Sequence, residues 1–150
     1  MDAEKKLKLE KLLEQQRRKD KLKFSSMFDE CVDALGNGTI IYSRDQSDII
    51  YNQMQEEYRF TFFGRIDEKY HTFKEFSNKE LLQAFSNEER CLILWSHGND
   101  PVIETDVVRA INHLEDLLTL SPDIWIYKKE AYIVECYHDG VIRKFRNKEE

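Results

Sequence analysis

Glycine is scarce in this 150-residue chain: five residues, scattered, with no GxGxxG and no GxxxxGK[ST]. Backbone cradles for nucleotide phosphates are therefore excluded. Cysteine is equally sparse. Cys31, Cys91 and Cys136 are odd in number, far apart, and form neither a CxxC pair nor a Cys/His ligand spacing. A disulfide framework or structural zinc is not expected, and apolar neighbours predict buried free thiols. No apolar run approaches the about 20 residues a membrane helix needs. The start, "MDAEKKLKLEKLL", carries charges where a secretory signal needs an unbroken apolar core. The expectation is a cytoplasmic protein with no membrane contact.

Hydrophobic residues make up 41% of the chain and aromatics 12%, enough to build a core at this length and to exclude a disordered chain. Charge is unevenly divided. Residues 1–23 hold seven Lys and two Arg against two Asp and three Glu, a net +4; the chain totals −6, so residues 24–150 carry −10. We read a basic helical arm over 1–23 and a single acidic domain over 24–150. Such a domain repels nucleic-acid phosphates and attracts basic protein surfaces.

The arm lacks Gly and Pro and is rich in helix formers, with a thin apolar face at Leu9, Leu12, Leu13 and Leu22. Ser25 and Ser26 predict the cap of a second helix presenting Met27, Phe28, Cys31, Val32 and Leu35, ended by Gly36-Asn37-Gly38. "TIIYS" (39–43) predicts a short buried strand, and Ser47 caps a helix carrying Ile50, Tyr51 and Met54. "YRFTFFGRI" (58–66) has the alternation of a strand, its aromatics read as core and cross-strand partners. Ser77 to Glu80 is a capping box, with Phe76 and Leu81 placed as a hydrophobic staple.

"CLILW" (91–95) predicts an interior strand. Thr105 is expected to cap a helix burying Val107, Val108, Ile111, Leu114, Leu117 and Leu118. "DIWIY", "AYIVECY" and "VIRKF" form a meander, its second turn marked by Asp139-Gly140. The predicted class is α+β: an antiparallel-rich sheet of five or six strands, helices packed on one face, and a charged N-terminal helix ahead of it.

"LILWSHGNDPVIETDVVRAINHL" (92–114) is the stretch with most site chemistry. Ser96 beside His97 invites a nucleophile–base reading, but neighbours on a strand point to opposite faces, and there is no GxSxG elbow. His97, Asp100, Glu104 and Asp106 offer metal-ligand types, yet no HExxH, HxH or calcium-loop spacing joins them. A Gly-Asn-Asp-Pro turn and an acidic helix start explain them without a metal, and no cofactor is expected. "YRFTFFGR" and "VIRKFRNK" mix cations with aromatics, but the −10 domain opposes nucleic-acid binding.

What remains is an acidic surface suited to a basic protein partner. The residues expected to meet it are His97, Asp100, Glu104, Asp106, Glu115 and Asp116, with Trp95 and Trp125 assigned to the core. Two other functions fit parts of the pattern. One is a small hydrolase or nuclease using His97 and nearby carboxylates. The other is a regulatory or scaffold subunit whose basic arm docks in an oligomer.

From Leu92 to Phe145 the order is strand, "NDPVIETD" loop, amphipathic helix, "DIWIY" strand and "AYIVECYHDGVI" hairpin. This order resembles small bacterial immunity proteins and relatives encoded beside polymorphic or contact-dependent-inhibition toxins. The resemblance covers about a third of the chain and rests on pattern. It implies a non-enzymatic inhibitor that binds a cognate toxin domain, often a basic nuclease, and masks its active site. It carries over no binding residue.

Overall fold

A computed structural model describes residues 3–85 and 89–146, without the side chains of residues 12–26. Helix α1 (Ala3–Leu35) is continuous, where two helices were expected. Serine within a helix costs only a few tenths of a kcal/mol, and no Gly or Pro interrupts this stretch. The expected caps, Ser25 and Ser26, have side chains outside the described residues, as do Leu12, Leu13 and Leu22 of the thin stripe; Leu9 is exposed. The last two turns bury Phe28, Cys31 and Leu35 at helical spacing. Gly36, at φ +89, ends the helix as its N–H donates back to Val32 and Asp33 carbonyls.

Next come β1 (Ile40–Ile41), α2 (Arg44–Glu57), β2 (Phe73–Glu75), α3 (Asn78–Ala84) and β3 (Arg90–Trp95). They are followed by β4 (Ile103–Asp106), α4 (Val107–Asn112), α5 (Leu114–Leu120), β5 (Asp123–Lys128), β6 (Tyr132–Tyr137) and β7 (Ile142–Arg146). The strands form one sheet in the order β1-β4-β3-β5-β6-β7-β2, every pair antiparallel. The α+β class is as expected, but the sheet has seven strands rather than five or six. β2 and β4 were not foreseen, and the strand expected over 58–66 does not join the sheet.

Along β3, Cys91, Ile93 and Trp95 point to one face and Leu92 and Leu94 to the other. The first face packs on α1, α3, α4 and α5 through Phe28, Leu81, Ile111 and Leu117. The opposite face takes Ile50 and Met54 of α2, with Tyr58 and Ile66, against Leu94, Trp125, Tyr127 and Phe145. One helix therefore covers the face that was expected to lack any. Burial on both sides explains why β3, β5 and β6 read as nearly continuous apolar runs. Both tryptophans are core, as anticipated.

Several local expectations are corrected. Helix α2 is capped by Ser43, in a capping box with Gln46, and not by Ser47. The Ser47 hydroxyl instead accepts the buried Val102 N–H at 3.0 Å, joining α2 to the β3–β4 connection. Thr105 lies fully buried within β4, opposite Cys91, and α4 begins after Asp106. The strand takes Thr105 because its small β-branched side chain suits the buried face. The helix beyond is interrupted at His113 (φ −109°, ψ 24°), which separates α4 from α5. β1 is an exposed edge rather than a buried strand, with Ile40 and Ile41 each about half exposed.

A further correction concerns residues 58–66. Tyr58 ends α2, and only a single bridge, Phe60 to Ile66, survives of the expected strand. Between them Thr61 N–H donates to the Arg65 carbonyl (2.7 Å) and Gly64 N–H to the Thr61 carbonyl (3.0 Å), with Gly64 at φ +83. A tight hairpin tip replaces the strand. Phe60 packs edge-on against Trp125 as a core aromatic should, but Phe62 and Phe63 do not reach the core.

A buried ion pair holds this hairpin down. Glu135 is 1% exposed, and its two carboxylate oxygens accept from Ile66 N–H (2.8 Å), Trp125 Nε1 (3.0 Å), Arg143 (2.8 Å) and the Tyr137 hydroxyl. Arg143 also donates to the Ile66 carbonyl (3.3 Å), so the pair grips both peptide groups of one loop residue. The guanidinium stacks over Phe73, Tyr137 and Phe145 at 4.8 to 5.3 Å.

All three cysteines are free and buried, as expected. Burial, with Asp116 and Asp100 nearby, pushes the Cys31 thiol from 9.0 up to about 11; burial also drives Cys91 and Cys136 upward. A folded-state pKa raised above the unfolded one makes the native protein hold more protons in between, so stability falls as pH rises. Stability is therefore expected to be undiminished by these thiols below pH 9. Between about pH 9 and 11 it should fall, each such group contributing up to about 1.4 kcal/mol per pH unit. Urea unfolding across that range checks this; a flat profile contradicts it.

Candidate functional site

The β3–β4 connection and the start of β5 meet at one end of the sheet. There the chain bends out of β3 after Trp95, so Ser96 and His97 do not point apart as strand neighbours would. Ser96 Oγ lies 3.0 Å from His97 Nδ1. The same hydroxyl is 3.0 Å from Ser121 Oγ and accepts the Asp123 N–H at 3.1 Å. Ser121 Oγ in turn accepts from the backbone N–H groups of Ser96 and His97 and donates to the Asp123 carbonyl. The Asp123 carboxylate faces His138 Nδ1 at 3.4 Å, not His97. A nucleophile–base relay needs an acid on the far side of its histidine. Here the available acid serves another residue, and the two serines tie β3 to β5.

The six residues proposed from sequence are not brought to one place. His97 is exposed on the bend and Asp100 half-buried three residues on. Burial raises the Asp100 carboxyl above its ordinary range. Asp100 and Asp116 both lie close enough to act on the Cys31 thiol in the last turns of α1. Asp116 and Glu115 are exposed on the first turn of α5, and His113 Nδ1 lies 3.3 Å from Asp116. A shallow groove of about 140 Å³ runs between α1 and α5, lined by Met27, Glu30, Cys31, Ala34, Asp116 and Thr119.

Glu104 and Asp106 sit apart, on β4. The antiparallel register places Arg90 opposite Asp106, and its guanidinium bridges Glu104 (3.1 Å) and Asp106 (3.3 Å). Arg109 reaches Asp106 at 3.4 Å. Both arginines also hold backbone carbonyls of the α1–β1 turn, Gly38 from Arg90 and Asn37 from Arg109, each at 2.6 Å. These two carboxylates are thus offset by cations and fasten β4 to the preceding turn. Sequence spacing gave no sign of it, because 14 residues separate Arg90 from Glu104.

A second feature escaped the sequence reading. Phe62 and Phe63 stand 99% and 89% exposed at the hairpin tip, ring against ring at 5.8 Å and 84°. Beside them lies a cleft of about 710 Å³, whose walls include Arg65, Asp67, Glu68, Lys69, Asp123 and Arg143. The available signal was Gly64 directly after two adjacent aromatics, a turn-former where a strand was assumed.

Among the described residues no group of three or more His, Cys, Asp or Glu is placed to hold a metal ion. Nor is any helix there long and apolar enough to cross a membrane. The surface offers charge, aromatic anchors and clefts, the means of protein recognition. Comparison with curated proteins finds no match. The sequence family described as CdiI immunity protein EcoliA0-like matches residues 25–145, which contain all the candidate residues and the sheet up to the last residue of β7. This chain therefore belongs to that family and is a toxin-neutralising immunity protein of contact-dependent inhibition.

Proposed function

We propose that the protein neutralises its toxin stoichiometrically, by covering the toxin's active-site face, and that this face is basic, as in a nuclease. The observation that carries the reading is the −10 charge of residues 24–150 in a member of this immunity family. An acidic surface speeds encounter with a cationic domain and competes with the nucleic acid that domain would bind. The contact surface is drawn by His97, Asp100, Glu115 and Asp116. Glu104 and Asp106 add less, because Arg90 and Arg109 already offset them. A reducing cytoplasm suits three cysteines that are all free and buried.

No turnover is assigned to this chain. Ser96 is engaged with Ser121 and Asp123, and Asp123 is turned to His138. The basic arm of residues 1–23 is proposed to be separable from the acidic domain, since the family match begins at residue 25.

The test is the salt dependence of association with the cognate toxin domain, followed by stopped flow. Between 50 mM and 500 mM salt the association rate is expected to fall at least about tenfold as screening shortens the reach of surface charge. A rate independent of salt would refute the basic-partner reading.

A further inference from the structure

We infer that Phe62 and Phe63 form the apolar anchor with which this immunity protein grips its toxin domain. The inference rests on the toxin-neutralising reading above and adds the place where the grip is made. Full exposure of two adjacent phenylalanines disfavours the free protein, because large apolar area faces water. Isolated exposed hydrophobes are ordinary on protein surfaces, but these two stack edge to face on a protruding tip.

The tip is also stiff. Its backbone closes through Thr61–Arg65 and Gly64–Thr61 hydrogen bonds, and Asp67 N–H donates to the Arg59 carbonyl at 2.8 Å. Below it Ile66 is 1% exposed and held at both peptide groups by Glu135 and Arg143. A preorganised aromatic pair gives up little conformational freedom on binding, so its burial is turned into affinity. Arg59 stacks on Tyr70 and Arg65 on Tyr137, so charged side chains close in sequence to the phenylalanine pair are themselves held. That arrangement matches the anatomy of interface hot spots.

The occupant is a toxin domain with an apolar pocket, not a second copy of this chain. Docking two copies through this tip would require one protruding surface to be complementary to itself. It would also bring together two chains of net charge −6. Because the cleft beside Phe63 reaches Asp123, which hydrogen-bonds Ser96, the tip shares one end of the sheet with the His97 bend. An anchored aromatic and a nearby acidic surface then serve one interface.

The experiment measures binding of the native chain and of Phe62→Ala/Phe63→Ala to the cognate toxin domain, with the oligomeric state of each by light scattering. The side chains touch solvent, so the variant should keep the native melting temperature while losing at least about 100-fold in affinity. Intact affinity in the folded variant overturns the anchor and leaves toxin neutralisation standing. A native dimer that the double substitution makes monomeric, with toxin binding unchanged, also overturns it in favour of a second copy. Failure of the native chain to bind overturns the neutralising reading and the anchor together. A milder Phe62→Leu/Phe63→Leu variant is expected to recover part of the affinity, as apolar area in place of aromatic area should.

Discussion

Replacing Glu135 by alanine is expected to cost about 3–5 kcal/mol, a large part of the 5–15 kcal/mol that holds a domain of this size together. Four donors converge on that carboxylate: Ile66 N–H, Trp125 Nε1, Arg143 and the Tyr137 hydroxyl. Removing it leaves a guanidinium 7% exposed whose remaining ion-pair partner, among the described residues, is the exposed Glu68 at 3.0 Å. The loss is dominated by that uncompensated charge, not by the missing attraction. Accordingly, Glu135→Leu together with Arg143→Leu should recover part of the stability, because neither charge is then stranded. Urea unfolding at pH 7 gives both numbers; a loss under about 1 kcal/mol for the single variant would show that the network is not structural. The same substitution frees the Ile66 peptide, so exchange of its amide should rise more than for amides in β3.

Neutralising Asp100, Glu115 and Asp116 together (Asp100→Asn, Glu115→Gln, Asp116→Asn) is expected to slow toxin association at least about tenfold at low ionic strength. Dissociation should change less, since exposed charges steer encounter more than they hold a formed complex. The companion variant Glu104→Gln/Asp106→Asn should alter the association rate by less than about threefold, because those charges are already paired with Arg90 and Arg109. In 1 M salt, where screening acts within about 3 Å, the first variant and the native chain should converge. Equal effects of the two variants would extend the acidic contact to β4, and no effect of either would move it off both.

The C-terminal meander was legible because its signals are local. Asp139-Gly140 supplies the positive φ of the hairpin turn, and three short apolar runs allow few alternatives. The Ser77 capping box was legible for the same reason and forms as expected with Glu80. The failures came where distant residues decided the outcome. Ser47 looks like a cap, but Val102, 55 residues on, takes its hydroxyl. Thr105 looks like a helix start, yet the edge of β3 recruits it into a strand. Residues 58–66 alternate like a strand, but a buried glutamate at 135 captures Ile66 and folds the segment into a hairpin tip.

The candidate site divides along the same line. The excess of acid and the lack of catalytic signature are properties of composition and local spacing. Which acids are free and which are paired depends on register: Arg90 reaches Asp106 only because β3 and β4 run antiparallel. Likewise the outward turn of Phe62 and Phe63 follows from the tertiary hold on Ile66, which no window around those residues contains.

Neutralisation by stoichiometric binding predicts a sharp end point. It is tested most directly by titrating the purified toxin domain with this chain while following the toxin's activity. Activity is predicted to fall linearly and reach the background at one chain per toxin, with the complex recoverable as a single species. Undiminished activity at a large excess of this chain would contradict the account, as would complete inactivation by a small fraction of an equivalent, which signals turnover.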